Sequence, residues 1–190
     1  VKGKNINRTL TSSATSGVPS KIPLDSITAK RQTIVSSKVM SNYLGNNRRK
    51  FLVLDENPLL NNSKLIPARA AATRGFLILS NAAEYALSSV DDKLLLNIDD
   101  FSSQLEKLLK TGKEICIFGF TYILYKNVVE KLLKNKVSFQ LPPNSKIVHI
   151  GGWKKLESEK VSKSKFLSDL SATFKISEDS NTKGIVNIST

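Results

Sequence analysis

The chain has 190 residues, of which 40% are hydrophobic and 24% are charged, as in an ordinary soluble globular domain. No apolar run is long enough to cross a bilayer, which argues against a transmembrane helix. The single cysteine excludes an internal disulfide, and one cysteine with one histidine cannot complete a tetrahedral zinc site. We therefore expect a cytoplasmic protein in a reducing compartment.

The formal net charge of +13 would attract the phosphate groups of a nucleotide, a nucleic acid or a membrane surface. The lysines are nevertheless scattered along amphipathic segments, and only the sequence NNRRK at 46–50 is compact. Scattered charge of this kind is more typical of a solvated face than of a binding patch. The charge alone therefore does not select a function.

Apolar spacing in the first half of the chain predicts two helices and two strands. The helices cover residues 26–44 and 97–113, and the strands cover residues 50–57 and 76–79. The intervening segment 57–74 contains two prolines and predicts an irregular loop with a short helix at most.

Each of these helices is expected to bury one apolar stripe. In the first helix the stripe consists of Ile27, Val35, Val39 and Tyr43. In the second helix it consists of Leu105, Leu108 and Leu109. Asp99 would cap the start of the second helix, and Gly112 would stop it.

In the second half of the chain, apolar strands alternate with amphipathic helices. The strands are 114–120, 146–152 and 184–188, and the helices are 122–135 and 158–174. This alternation predicts an α/β fold of βα units, with a mostly parallel sheet covered by helices. Ligands bind such sheets beyond the carboxyl ends of the strands. The predicted pocket edges are therefore Gly119, Phe120, Gly151, Gly152 and Trp153.

The segment TSSATSGVPSK at 11–21 gathers hydroxyl groups around one glycine. A loop of this composition can direct its backbone N–H groups and its hydroxyls towards one anion. It lacks the Walker pattern, and a flexible polar linker is the alternative interpretation. The candidate phosphate-binding residues are Ser12, Ser13, Thr15, Ser16, Gly17 and Lys21.

The segment HIGGWKKL at 149–156 has two glycines after an apolar strand, which would let the backbone approach a ligand closely. Trp153 would offer a flat face, and the two lysines after it would offer charge. The alternative is a tight turn from strand to helix whose tryptophan packs on the core. His149 lies between apolar strand residues and is more typical of a structural histidine. Thr121, after the preceding strand, is a candidate helix cap.

In their order, these segments resemble adenylate-forming acid ligases, and more closely the LuxE-type acyl-protein synthetase family. Residues 12–17, followed by Pro19 and Lys21, are similar to the superfamily's phosphate-binding signature, S/T-S-G-S/T-T-G-x-P-K. Three further segments are similar to LuxE-type proteins in the same order: ARAAATRGF (68–76), IFGFTY (117–122) and HIGGWKKL (149–156). The resemblance thus touches nearly the whole chain.

The resemblance implies part of the large N-terminal domain of such a ligase. A carboxylic acid, by family default a long-chain fatty acid, would react with ATP and Mg²⁺ to give an acyl-adenylate, and the acyl group would pass to a thiol. Residues 12–17 would hold the β- and γ-phosphates, and the GGW segment would line the cleft for adenine and the acyl chain. The implied partners are the acid and an acyl-transferring or reductase protein, without a membrane span or nucleic acid.

Three departures from the family pattern affect the expected activity. Ala14 replaces the first glycine of the signature, and alanine is strained wherever φ must be positive. The aromatic–Gly–x–Ser/Thr–Glu motif, which supplies the magnesium-binding glutamate, is absent, as is the small C-terminal domain. The comparison with the family therefore implies that residues 1–190 are a partial N-terminal domain, an internal fragment incomplete for turnover, with the magnesium ligand outside it.

Three alternatives remain open at this point. A non-catalytic relative of the same fold would fit Ala14 and the missing motif. A basic nucleic-acid-binding module would need exposed aromatic residues among its lysines, whereas one tryptophan is present and most Phe and Tyr residues fall on core-facing positions. A CoA ligase close to the phenylacetate-activating type would share the first reaction step. The identity of the acid and of the thiol acceptor is not determined by the sequence.

Overall fold

The structure is a computed structural model that describes residues 6–11, 20–59, 66–91, 93–153, 158–176 and 184–188. The chain divides into two compact units. Unit 1 comprises Val1–Arg48 and Pro58–Ser80, and unit 2 comprises Arg49–Asn57 and Asn81–Thr190.

The described residues form short and medium-length elements of both kinds. The strands are β1 (Ile6–Thr11), β2 (Lys21–Asp25), β3 (Arg49–Glu56), β4 (Ile66–Pro67), β5 (Ser80–Val90), β6 (Lys93–Leu95), β7 (Ile115–Phe120), β8 (Phe139–Gln140), β9 (Lys146–Ile150), β10 (Phe174–Lys175) and β11 (Ile185–Ile188). The α-helices are α1 (Ser26–Leu44), α2 (Ala68–Phe76), α3 (Ile98–Leu109), α4 (Glu130–Lys134) and α5 (Lys163–Thr173). A 3₁₀-helix covers Leu77–Leu79, and a π-helix covers Ile123–Val129.

Unit 1 combines a small sheet with α1 and α2. The strand order is β2-β1-β4, in which β1 is antiparallel to β2 and parallel to β4. Thr11 at the end of β1 lies opposite Lys21 at the start of β2, so these two strands flank the hydroxyl-rich segment. Residues 12–19 of that segment lie outside the described residues.

The predicted first helix is present as α1, but its buried face differs from the prediction. Asp25 caps it, because the carboxylate accepts a hydrogen bond from the Thr28 amide at 2.7 Å. Three residues of the predicted stripe are exposed: Ile27, Val35 and Tyr43. The buried residues of the helix are instead Ala29, Met40 and Leu44. The stripe was wrong because apolar residues surround most of this helix, so spacing does not select one face.

The predicted strand at 76–79 is wrong, since these residues form the end of α2 and the 3₁₀-helix. The strand of this region is β5, which follows directly. The cap of α3 also differs from the prediction. Asn97, two residues before the predicted cap Asp99, accepts hydrogen bonds from the amides of Asp99 and Asp100 at 3.0 and 3.2 Å. Gly112 follows the helix with a φ of 63°, as expected for a stop.

Unit 2 contains a six-stranded sheet in the order β11-β9-β7-β3-β5-β6. Strands β3, β7, β9 and β11 run parallel to one another, whereas β5 and β6 pair with each other in antiparallel orientation. Every residue of β7 and β9 is buried, as expected for strands covered on both faces. The predicted α/β fold, with a mostly parallel sheet flanked by helices, is therefore confirmed. A separate parallel pair joins β8 and β10.

The predicted helix after β7 begins with a wide turn. The Glu130 amide bonds to the carbonyl oxygen of Tyr125, five residues earlier, and the chain then continues as α4. Tyr125 is almost fully buried by this arrangement. No helix in the described part of the chain is long and apolar enough to cross a membrane.

Candidate functional site

The carboxyl ends of β7 and β9 lie side by side in the sheet of unit 2. Gly119 pairs with His149, and Phe120 pairs with Ile150. The chain leaves β9 through Gly151, Gly152 and Trp153, directly beside the end of β7. The structure thus brings together the five residues predicted to edge a pocket, as the rule for parallel sheets implied. Their role in binding remains a prediction.

The absence of a side chain has a different structural consequence at each of the three glycines of this region. Gly151 has a φ of +69°, which residues with a side chain rarely adopt. A Cβ at Gly119 would lie 2.9 Å from the Leu54 Cβ, so this glycine allows β7 and β3 to pack closely. Gly152 is exposed, and a Cβ there would meet no atom within 4 Å. Gly152 is therefore the glycine beside which a ligand could approach the backbone.

Trp153 lies in an aromatic cluster rather than on an open face. Its ring centroid is 5.5 Å from that of Tyr125 and 6.5 Å from that of Phe166, both edge to face. Tyr125 and Phe166 stack on each other at 5.5 Å. Only 7% of Trp153 is exposed. In the described structure this tryptophan packs on the core, which was the alternative considered from the sequence, and its place in a ligand cleft stays a prediction.

Thr121 does not cap the helix that follows β7, because its hydroxyl is bound elsewhere. The Oγ1 atom lies 2.5 Å from the Gly151 carbonyl oxygen, 3.2 Å from that of Ile150 and 2.9 Å from His149 Nδ1. Thr121 is itself buried. One hydroxyl therefore joins the end of β7 to the last residues of β9 and the turn beyond it. Sequence reasoning missed this contact because the partners are about thirty positions away.

His149 is buried in a neutral form. Burial lowers the pKa of its imidazole from the ordinary 6.5 to about 4. Its ring packs against Phe166 with centroids 5.0 Å apart. At neutral pH this histidine therefore acts as a hydrogen-bonding group in the strand, in agreement with the structural role expected from the sequence.

A second polar contact ties α5 to the π-helix. The Tyr125 hydroxyl donates to Asp169 Oδ2 at 2.6 Å, and Lys165 Nζ lies 2.9 Å from the same oxygen. Burial opposes the ionised carboxylate, but the hydrogen bonds from Tyr125 and Lys165 and the lysine's charge prevail and lower the pKa of Asp169. Burial, followed by the contact with Asp169, raises the pKa of Tyr125. The hydrogen bond between Tyr125 and Asp169 thus fixes the tyrosine ring of the aromatic cluster to α5.

The candidate phosphate-binding residues belong to unit 1, and the structure describes only one of them. Lys21 is exposed at the start of β2. The others, which are Ser12, Ser13, Thr15, Ser16 and Gly17, lie outside the described residues, as does Ala14. Lys154 and Lys155 after the GGW segment are also outside them. The phosphate-binding assignment therefore remains a prediction.

The described residues supply neither a metal cluster nor an activated thiol. They contain no group of three or more His, Cys, Asp or Glu side chains that could hold a metal ion. Cys116 is buried in β7, and its burial raises the pKa of the thiol far above its ordinary value, with only partial compensation from Arg49. Such a thiol is inert, in agreement with its sequence context.

The model of the acyl-protein synthetase family, LuxE, matches residues 1–189 of the chain. The chain belongs to this family. Membership implies acyl-protein synthetase activity, in which a fatty acid is activated and its acyl group transferred. Comparison with curated proteins and with solved structures gave no match. The LuxE family segment thus includes both the hydroxyl-rich segment of unit 1 and the glycine turn of unit 2.

Proposed function

We propose that this protein takes part in the ATP-dependent activation of a carboxylic acid, with a long-chain fatty acid as the expected substrate, followed by acyl transfer to a thiol. The observation that carries the proposal is the family match over residues 1–189. Two features support it. The hydroxyl-rich segment is flanked by paired strands, and an open glycine turn lies at the carboxyl ends of β7 and β9.

The reaction has two balanced steps. An oxygen of the carboxylate attacks the α-phosphorus of ATP, forming an acyl-phosphate bond while pyrophosphate leaves with the electron pair of the broken bond. A thiolate sulfur then attacks the acyl carbonyl carbon, and AMP leaves as the thioester forms. The nucleophilic thiol is assigned to another molecule or segment, since Cys116 is buried and protonated.

The hydroxyl-rich segment and the glycine turn are each proposed, independently of the other, to contact ATP. Backbone amides and hydroxyls of residues 12–17 are proposed to bind the β- and γ-phosphates and to stabilise the departing pyrophosphate, with Lys21 adding charge. The turn of Gly151 and Gly152, with Phe120 beside it, is proposed to line the cleft for adenine and the acyl chain. Open space beside Gly152 supports close approach of a flat ring to the backbone.

Magnesium would accompany ATP, because this ion is commonly bound through substrate phosphates with few protein ligands. The described residues do not offer a ligand cluster for it. No step is therefore assigned to a metal ion held by this part of the chain.

The proposal is tested by calorimetric titration with ATP and magnesium, and then by acid-dependent exchange of labelled pyrophosphate into ATP. Gly152→Trp places a large side chain where an added Cβ meets no atom within 4 Å, and Gly17→Trp places the same side chain in the hydroxyl-rich segment. Ser171→Trp, on an exposed position of α5, is the matched control. We expect both glycine variants to lose at least tenfold in ATP affinity and the control to bind normally.

Three results would change the assignment. Equal ATP binding by all four proteins would remove both nucleotide-binding segments from the proposal. Binding without acid-dependent exchange would favour a non-catalytic relative. Binding to RNA or DNA that weakens steeply with salt, in place of ATP binding, would favour the basic nucleic-acid-binding module.

A further inference from the structure

His149, Thr121 and the Gly151 carbonyl form a chain of hydrogen bonds, here called the relay, between β7 and the turn after β9. The direction of the relay depends on one hydroxyl proton. The Thr121 hydroxyl has a single hydrogen and lies closer to the Gly151 carbonyl oxygen, at 2.5 Å, than to that of Ile150, at 3.2 Å. Because a carbonyl oxygen only accepts, the shorter contact takes the proton. His149 Nδ1, 2.9 Å from the same hydroxyl, must then donate its own proton to it.

This direction fixes the tautomer of His149. A neutral imidazole carries one proton, so a protonated Nδ1 leaves Nε2 as an acceptor. The residue is 3% exposed and its ring lies against Phe166, which restricts rotation of the imidazole. The relay therefore runs from His149 through Thr121 to the carbonyl oxygen of Gly151.

The relay also orients the next peptide group. In a trans peptide the N–H points opposite to the C=O, so a Gly151 carbonyl bound to Thr121 directs the Gly152 N–H away from Thr121. Gly152 is exposed, and the position of its missing side chain is open. Among the described residues, the Gly152 amide has no hydrogen-bond acceptor. An oriented donor is thus presented at the carboxyl edge of the sheet.

We propose that Thr121 and His149 are positioning residues that hold the Gly151–Gly152 peptide, so that the Gly152 N–H binds a hydrogen-bond acceptor of the nucleotide. The identity of this ligand rests on the proposed function, whereas the orientation of the peptide does not. Buried polar groups require hydrogen-bond partners, and here the partner of the Thr121 hydroxyl is the carbonyl of a turn whose next residue, Gly152, is exposed.

Three variants separate the relay from simple packing. Thr121→Val keeps the shape and removes the hydroxyl, whereas Thr121→Ser keeps the hydroxyl. His149→Asn places an amide nitrogen near the position of Nδ1 and can still donate. Two properties are measured in each: backbone ¹⁵N order parameters at Gly151 and Gly152, and the affinity for ATP with magnesium.

In Thr121→Val we expect lower order parameters at both glycines and a loss of about tenfold in ATP affinity, the effect of about one lost hydrogen bond. Thr121→Ser and His149→Asn should retain most of the backbone order at the two glycines and most of the ATP affinity. A Thr121→Val protein that is only less stable, with normal order parameters and normal ATP affinity when folded, would overturn the proposal. If the unchanged protein binds no ATP, the proposed function fails, and the order parameters alone decide the positioning role.

The tautomer gives a test that does not require any variant to fold. His149 is the single histidine of the chain, so its imidazole signals need no assignment. A long-range ¹H–¹⁵N spectrum at neutral pH should show a protonated Nδ1 and an unprotonated Nε2. The opposite tautomer would reverse the hydrogen bond at Thr121 and overturn the relay.

Discussion

Gly119 on β7 lies directly opposite Leu54 on β3, and the two strands are so close that a Cβ at position 119 would lie 2.9 Å from the Leu54 Cβ. The nearest atom is the first side-chain carbon, bonded directly to the backbone, which cannot swing aside as a side-chain end could. This glycine, predicted from the sequence as a pocket edge, therefore has a packing reason to be glycine.

Gly119→Ala is accordingly expected to destabilise the protein. The added methyl group must push two parallel core strands apart, and overpacking of this kind costs about 1–3 kcal/mol in the free energy of unfolding. Urea unfolding of the variant measures the loss. Gly152→Ala is the control, because its methyl group enters open space and should change stability little. Equal midpoints for the two variants would contradict the packing argument.

Gly151 should be sensitive to substitution for a different reason, its backbone conformation. With a φ of +69°, alanine at this position is strained and should cost roughly 1–2 kcal/mol. Asparagine tolerates positive φ better than alanine, so Gly151→Asn should recover part of the loss. Unfolding free energies of the two variants give the comparison, and an asparagine variant less stable than the alanine variant would argue against strain as the cause.

The hydrogen bond from Tyr125 to Asp169 is expected to contribute strongly to stability. It is 2.6 Å long, the tyrosine is nearly fully buried, and the acceptor is a carboxylate. Tyr125→Phe should therefore lose about 1.5–3 kcal/mol, the usual range for a hydrogen bond to a charged group.

A double-mutant cycle isolates this contact. The energies of Tyr125→Phe and Asp169→Asn should not add, with a coupling of roughly 1 kcal/mol or more. Lys165→Met is the comparison, because this lysine is 59% exposed and its ion pair with Asp169 spans one helical turn. Exposed pairs of this kind contribute only about 0.3–0.5 kcal/mol. Additive energies for the tyrosine and the aspartate would show that the bond contributes nothing of its own.

The parallel sheet could be predicted because its strands carry a strong local signal. The runs of β7, β9 and β11 are short, apolar and bounded by turn residues, and the first two are buried throughout. Strand β5 gave no such signal. Most residues of its sequence, SNAAEYALSSV, are small or polar, and nearly all are half-buried or exposed. Neither an alternating pattern nor a buried apolar run therefore indicates a strand here.

The neighbourhood of the candidate site could also be predicted, but its contacts could not. Parallel order alone places the end of β7 beside the end of β9. The hydrogen bonds of Thr121 depend on the register that sets Gly119 opposite His149, and residue spacing in the sequence does not fix register between strands. The same holds for the contact of Leu54 with Gly119, which gives this predicted pocket-edge residue a packing reason as well.

Stability should depend on pH through His149. The pKa of its imidazole is lowered by burial to about 4, below the ordinary 6.5 that the unfolded chain would show. Between these values the unfolded state binds more protons than the folded state, so stability falls as the pH is lowered from 6.5 towards 4. Well above pH 6.5 both states are neutral at this residue, and it adds no pH dependence there.

The expected loss from this residue is about 3 kcal/mol between pH 7 and pH 4. Carboxylates also titrate in this range, so the informative quantity is the difference between the unchanged protein and His149→Asn, which has no titrating group at this position. Urea unfolding at several pH values should give a flatter curve for the variant below pH 6.5. Parallel curves would mean that the imidazole already accepts its proton in the folded state, and that water reaches a ring placed here against Phe166.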